Sequence, residues 1–250
     1  MRRFFKWLGV LMLSVLAINT IAIAYFTLSR KPKARALTAL EPTDLVEITT
    51  DSWTVFSPRQ VTPITGLIFY PGTFVDPKAY AEPAQAIAEK GYLVILVPVP
   101  LGIASLAPDR AADVQAAFPE IQKWVVAGHS QGGSVAIRYV ADHPEDVDGL
   151  MLWAGKPIGK DDLSGYDLPV LSINGTLDPR RSPEILAEIS NRLPMDAEQI
   201  NIEGGTHEYF GDYAGELEGE EFNGAVAHDM QTSIVVEAAV RFLETVTNGS

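Results

Sequence analysis

Trp124-Val125-Val126-Ala127-Gly128-His129-Ser130-Gln131-Gly132-Gly133-Ser134-Val135-Ala136-Ile137 is the stretch in which the chain passes from a strand pattern to a helix pattern. Residues 124–127 form a continuous apolar run, and from about 132 to 141 the apolar positions recur at helical spacing. Gly128 and Gly132 stand two residues on either side of Ser130. Small residues at those places let the backbone turn sharply and present the serine side chain beyond the strand end, the arrangement of a nucleophile elbow. The amino terminus of the following helix adds a partial positive charge there. Ser130 is the expected nucleophile.

Outward from this turn, strand and helix patterns alternate. Toward the amino terminus, residues 45–50, 53–56 and 66–70 are β-prone, and the last of these runs stops at Pro71-Gly72. A helical pattern at 77–90 ends on Gly91, an apolar strand follows at 92–97, and a helical pattern occupies 108–118. Toward the carboxyl terminus come strands at 150–153, 170–173 and 199–202, with helices at 183–192 and 230–246. Such crossovers join parallel strands. Runs such as Leu93-Val94-Ile95-Leu96-Val97 are apolar on both faces, as a sheet covered by helices on both sides requires. The expected fold is therefore α/β, with a mostly parallel central sheet between two helix layers.

Ligands of such sheets bind beyond the carboxyl ends of the strands, and three of the four loops after residues 70, 127, 173 and 202 hold a reactive candidate. A neutral serine hydroxyl needs a base, and the base needs an acceptor that fixes its tautomer. The chain has four histidines. His129 lies inside the turn and is expected to point away from its neighbour. His143 falls near the end of the next helix, and His228 precedes the last one. His207, in Gly204-Gly205-Thr206-His207 after a strand, is the expected base. Asp178, in Asn174-Gly175-Thr176-Leu177-Asp178, is the expected acid; an aspartate there also suits a helix cap or a turn before Pro179.

These segments, together with Tyr70-Pro71-Gly72-Thr73, resemble the α/β-hydrolase family, and most of all its dienelactone-hydrolase-like (fold-5) branch. The resemblance runs from about residue 66 to the carboxyl terminus. It implies a triad in the chain order Ser130, Asp178, His207 and no cofactor. It also implies an oxyanion hole of two backbone N–H groups, one from Gln131 and one from Thr73, with Phe74 as the alternative. True dienelactone hydrolases carry cysteine where this chain has Ser130. Residues 155–168 are too few for the helical lid of many family members, so an open site for small acyl substrates is expected.

The chain has 250 residues, enough for one sizeable domain, and no cysteine, which excludes disulfides and a cysteine nucleophile. Residues 1–36 carry seven of its 19 basic residues and none of its 32 acidic ones. The remainder therefore bears a charge of about −20, which disfavours nucleic acid as a partner. Residues 7–29 are uncharged and mostly apolar, a length that at ~1.5 Å per residue crosses a ~30 Å hydrocarbon layer. The expectation is a membrane anchor over 1–36, a tether over 37–44 and a catalytic domain over 45–250 lying outside the cytoplasm. A signal peptide cleaved near Ala22-Ile23-Ala24, giving a secreted protein, is the alternative. Glu216, Glu218, Glu220 and Glu221 lack the ligand spacing of a calcium loop and read as a solvated loop.

Taken together, these features lead to the expectation of a hydrolase of carboxylic esters working through an acyl-enzyme. The alternatives are a thioesterase, amidase or acyltransferase on the same residues, or a binding protein that keeps the fold without the activity.

Overall fold

The structure, a computed structural model, describes residues 2–214 and 225–249; the four glutamates at 216–221 lie outside them. Eight strands among the described residues form one sheet: β1 (Val46–Thr50), β2 (Thr54–Pro58), β3 (Thr65–Tyr70), β4 (Leu93–Leu96), β5 (Lys123–His129), β6 (Gly149–Trp153), β7 (Val170–Gly175) and β8 (Glu198–Ile202). Their spatial order is β1-β2-β4-β3-β5-β6-β7-β8. β1 and β2 pair antiparallel, β2 meets β4 antiparallel, and every pairing from β4 to β8 is parallel.

The period-two alternation of the strands sorts their side chains onto two cores. Leu67, Phe69, Val125, Ala127, Met151 and Trp153 face a layer built from α2 (Ala34–Thr38), α3 (Ala81–Ala88) and α7 (His228–Asn248). Ile68, Tyr70, Val126, Leu150 and Leu152 face α4 (Arg110–Ala117), α5 (Gln131–Asp142) and α6 (Pro183–Ser190). Both faces are buried, and fully burying a large apolar side chain stabilises the fold by roughly 1.5–3 kcal/mol. The helical pattern expected over 77–90 divides in two. Asp76 accepts a hydrogen bond from the Lys78 N–H at 2.9 Å and caps a short 3-10 turn, Pro77–Tyr80, before α3 begins.

The amino-terminal part departs most from expectation. A helix, α1 (Arg2–Ser29), does form, but among the described residues no helix is long and apolar enough to cross a membrane. The expected membrane-spanning anchor, and the membrane as a partner through it, are therefore not supported. Asn19 and Thr20 interrupt the apolar run, and their side chains turn back to donate to the Val15 and Leu16 carbonyls at 2.7 and 2.9 Å. The chain after α1 is held against the catalytic domain. Lys33 N–H donates to the Asp212 carbonyl (2.9 Å), and Ala214 N–H donates to that of Lys31 (3.1 Å). The Asp212 carboxylate accepts from the N–H groups of Arg35 and Ala36. Within the expected tether, Ala39 is buried in the core, and the Glu41 carbonyl accepts from the Gln85 side chain.

Candidate active site

Ser130 joins β5 to α5 with φ 54° and ψ −119°, a left-handed conformation that costs a non-glycine residue of order 1–3 kcal/mol and survives only where its surroundings enforce it. The enforcement is visible. Ser130 N–H donates to the Trp153 carbonyl at 2.9 Å. A Cβ on Gly128 would come within 2.3 Å of the Gly132 carbonyl carbon, and one on Gly132 within 2.3 Å of the Tyr70 carbonyl oxygen. Only glycine lets α5 start this close to the ends of β5 and β3. Gly132→Ala is therefore expected to lose about 1–3 kcal/mol of stability, read as a lowered midpoint of denaturant unfolding. An unchanged midpoint would show that the elbow is looser than this.

Asp178 stands in the turn after β7, where its N–H donates to the Gly175 carbonyl at 3.1 Å. Its Oδ1 accepts from the Arg180 N–H at 2.9 Å, and its Oδ2 accepts from His207 Nδ1 at 2.6 Å. Burial works against the Asp178 charge. The His207 hydrogen bond and charge, the Arg180 N–H and the Arg181 guanidinium together outweigh burial and hold this carboxyl below the usual carboxylate range. With the Nδ1 proton committed to Asp178, a neutral His207 keeps its free lone pair on Nε2. The His207 loop is fixed from α7, where the Gln231 side chain accepts from Thr206 N–H and donates to Thr206 O, both at 2.9 Å.

Ser130 and His207 line one cavity of about 320 Å³ together with Gly72, Thr73, Phe74 and His129. The structure thus gathers Ser130, Asp178, His207, Gln131 and Thr73 at the carboxyl ends of β3, β5, β7 and β8. A larger hollow of about 640 Å³ between α3 and α7 is lined by charged side chains such as Glu82, Lys90 and Arg241 and holds no serine–histidine pair.

The backbone N–H groups of the two expected alternatives, Thr73 and Phe74, differ in what they meet. Phe74, with φ 56°, spends its N–H on the Gly102 carbonyl at 2.7 Å. The N–H groups of Thr73 and Gln131 have no protein acceptor among the described residues. The Thr73 hydroxyl donates to Gln131 Oε1 at 3.1 Å and ties the two segments together.

Sequence reasoning missed the support beneath these groups. His129 follows Val125 and Ala127 onto the α3–α7 face of β5 and is buried against His207, with ring centroids 4.6 Å apart. Arg181, also buried, donates from Nε to Asn174 Oδ1 at 3.0 Å and from Nη2 to the Ala154 carbonyl. The adjacent Pro179-Arg180-Arg181 was a cue that cations cluster near Asp178; nothing local marked His129. Among the described residues no three His, Cys, Asp or Glu side chains converge to hold a metal.

Residues 66–232 match the profile of the alpha/beta hydrolase family. The chain belongs to that family. Its structure is similar to that of a dienelactone hydrolase from Anabaena variabilis ATCC 29413, at 17% identity and a TM-score of 0.57 over 79% of this chain and 98% of the other. It is also similar to a hyperthermophilic esterase from the archaeon Pyrobaculum calidifontis, at 15% identity and a TM-score of 0.61 over 92% of each chain. A third similar structure is a predicted CIB-like hydrolase from Thermoplasma acidophilum, at 17% identity and a TM-score of 0.53 over 78% of this chain and 97% of the other. At these identities the likeness is one of fold. No curated protein matches the chain in sequence. As an alpha/beta hydrolase with elements in the expected order, the domain agrees with the dienelactone-hydrolase-like resemblance.

Proposed function

We propose that this alpha/beta hydrolase cleaves carboxylic esters through an acyl-enzyme on Ser130. The observation that carries the reading is the 2.6 Å hydrogen bond from His207 Nδ1 to Asp178, on a histidine that shares its cavity with the strained Ser130. Ser130 Oγ attacks the ester carbonyl carbon while His207 Nε2 takes its proton. The negative charge that develops on the carbonyl oxygen is met by the N–H groups of Gln131 and Thr73, a pair of fixed donors of which each typically contributes roughly 3 kcal/mol to the transition state. As the tetrahedral intermediate collapses, His207 returns the proton to the leaving alkoxide and an alcohol departs. Water, activated by the same imidazole, then attacks the acyl-enzyme and releases the carboxylic acid. Asp178 keeps the imidazole in the tautomer that accepts from Ser130 and stabilises the imidazolium that forms.

Ester chemistry, ahead of other acyl chemistry, is supported by the similar folds of an esterase and a dienelactone hydrolase. A cavity of about 320 Å³ lies at the lower end of the usual size for small-molecule sites, and it favours short acyl groups. The test is a panel of p-nitrophenyl esters from acetate to palmitate. Turnover that is highest for the short members is expected; absence of turnover across the panel by folded protein would refute the reading.

A further inference from the structure

Beneath the catalytic cavity runs a buried polar chain that none of the roles above uses. Gly72 N–H donates to the Tyr80 hydroxyl oxygen at 3.0 Å, and that oxygen lies 2.8 Å from His129 Nδ1. The phenol oxygen, having accepted from Gly72, shares a hydrogen bond with His129 Nδ1. His129 is neutral. Its burial comes first among the reasons that it stays neutral, and the nearness of a second imidazole, that of His207, adds to them; both hold it well below the ordinary histidine range. Aromatic rings pack around this chain. The Tyr80 ring packs on Phe69 at 4.7 Å between centroids and on Trp153 at 6.5 Å, and the His129 ring lies 4.6 Å from that of His207.

Both ends of this chain touch what the proposed reaction must hold still. Gly72 immediately precedes Thr73, whose N–H is the second oxyanion donor in the reading above. His129 immediately precedes Ser130 and lies against His207. We propose that Tyr80 and His129 are positioning residues, in which the Tyr80 hydroxyl fixes the Gly72–Thr73 segment and His129 anchors that hydroxyl while bracing the His207 ring. This rests on the serine-hydrolase reading. Neither residue exchanges a proton with substrate. Their effect lies in orientation, where displacements of about 1 Å cost up to about 100-fold in rate.

The test uses the full chain, with the hydrolytic sites counted by fluorophosphonate titration so that rates refer to competent protein. Tyr80→Phe keeps the ring and removes the hydroxyl. It is expected to lower kcat on a short ester about tenfold with KM unchanged within about twofold, because an oxyanion donor acts on the transition state and not on bound substrate. His129→Leu, which removes the hydrogen-bond partner of the Tyr80 hydroxyl, is expected to fall by a similar factor. His129→Asn places an amide oxygen near the lost Nδ1 and is expected to recover most of that loss. The Tyr80→Phe/His129→Leu double variant should fall no further than either single one, since both cut the same chain.

An unchanged kcat in Tyr80→Phe, a loss expressed in KM, or a His129→Asn as slow as His129→Leu would each overturn the proposal. Should Tyr80→Phe fail to fold, the Asn and Leu pair at position 129 decides alone. If the unsubstituted protein neither titrates with fluorophosphonate nor hydrolyses esters, it is the serine-hydrolase reading that fails.

Discussion

Ser130→Ala is expected to lower kcat/KM for p-nitrophenyl acetate by about 10⁶-fold, the scale seen when the nucleophile of a triad is removed, while the protein stays folded with little change in its unfolding midpoint. The separation of the two effects follows from the elbow. The turn is imposed by Ser130 N–H on Trp153 and by the close approaches at Gly128 and Gly132, none of which involves Oγ. Alanine has the same backbone constraints as serine, so the left-handed conformation persists and only the attacking atom is lost. Residual activity then reflects the oxyanion donors and binding alone. A variant within tenfold of the unsubstituted enzyme would move the chemistry to another residue.

Asp178→Asn is expected to cost about 10⁴-fold in kcat, and the hydrogen bonds around the carboxylate explain why an almost isosteric change does so much. Oδ1 accepts from the Arg180 N–H at 2.9 Å, so an asparagine oriented by that bond places its amide oxygen there and turns its NH₂ toward His207. A donor facing Nδ1 forces the imidazole proton onto Nε2, the nitrogen that must receive the Ser130 proton. The variant folds and binds, but its base is presented in the wrong tautomer. Steady-state kinetics on the same ester give the readout. A loss of less than tenfold would mean that Asp178 serves as a turn residue capping its own loop, and not as the acid of the site.

The elements that determine this architecture were largely legible before any coordinates, because each rests on local pattern. Apolar runs such as residues 93–97 mark strands buried on both faces, and the glycines around Ser130 mark a turn that tolerates no side chain. Asp178 and His207 were singled out because they follow strands in the right chain order, and the hydrogen bond between them lies where that order put it. The order of the strands in space has no such local signature, since it is set by which crossover packs on which face. Thr73 was expected ahead of Phe74 only through the family resemblance. The hydrogen bond from Phe74 N–H to the Gly102 carbonyl, carried by a loop in which Leu101 itself takes a left-handed conformation (φ 54°), has no local signature.

Long-range contacts account for the remaining differences. The segment after α1 reads as a tether because it is short, charged and rich in proline, yet Asp212, far along the chain, holds Arg35 and Ala36 in place. The apolar run in α1 reads as a membrane span from hydropathy alone, while no helix among the described residues meets that requirement. His129 looked like a bystander because the strand alternation that carries it to the α3–α7 face says nothing of Tyr80 or His207 waiting there.

The central claim is that Ser130 is an activated nucleophile, and labelling the folded protein with a fluorophosphonate, followed by peptide mass spectrometry, tests it most directly. The account predicts a single phosphonylated residue, Ser130, with labelling abolished in Ser130→Ala and strongly slowed in His207→Ala. Folded protein that stays unlabelled, or that carries the adduct on any other residue, would contradict it.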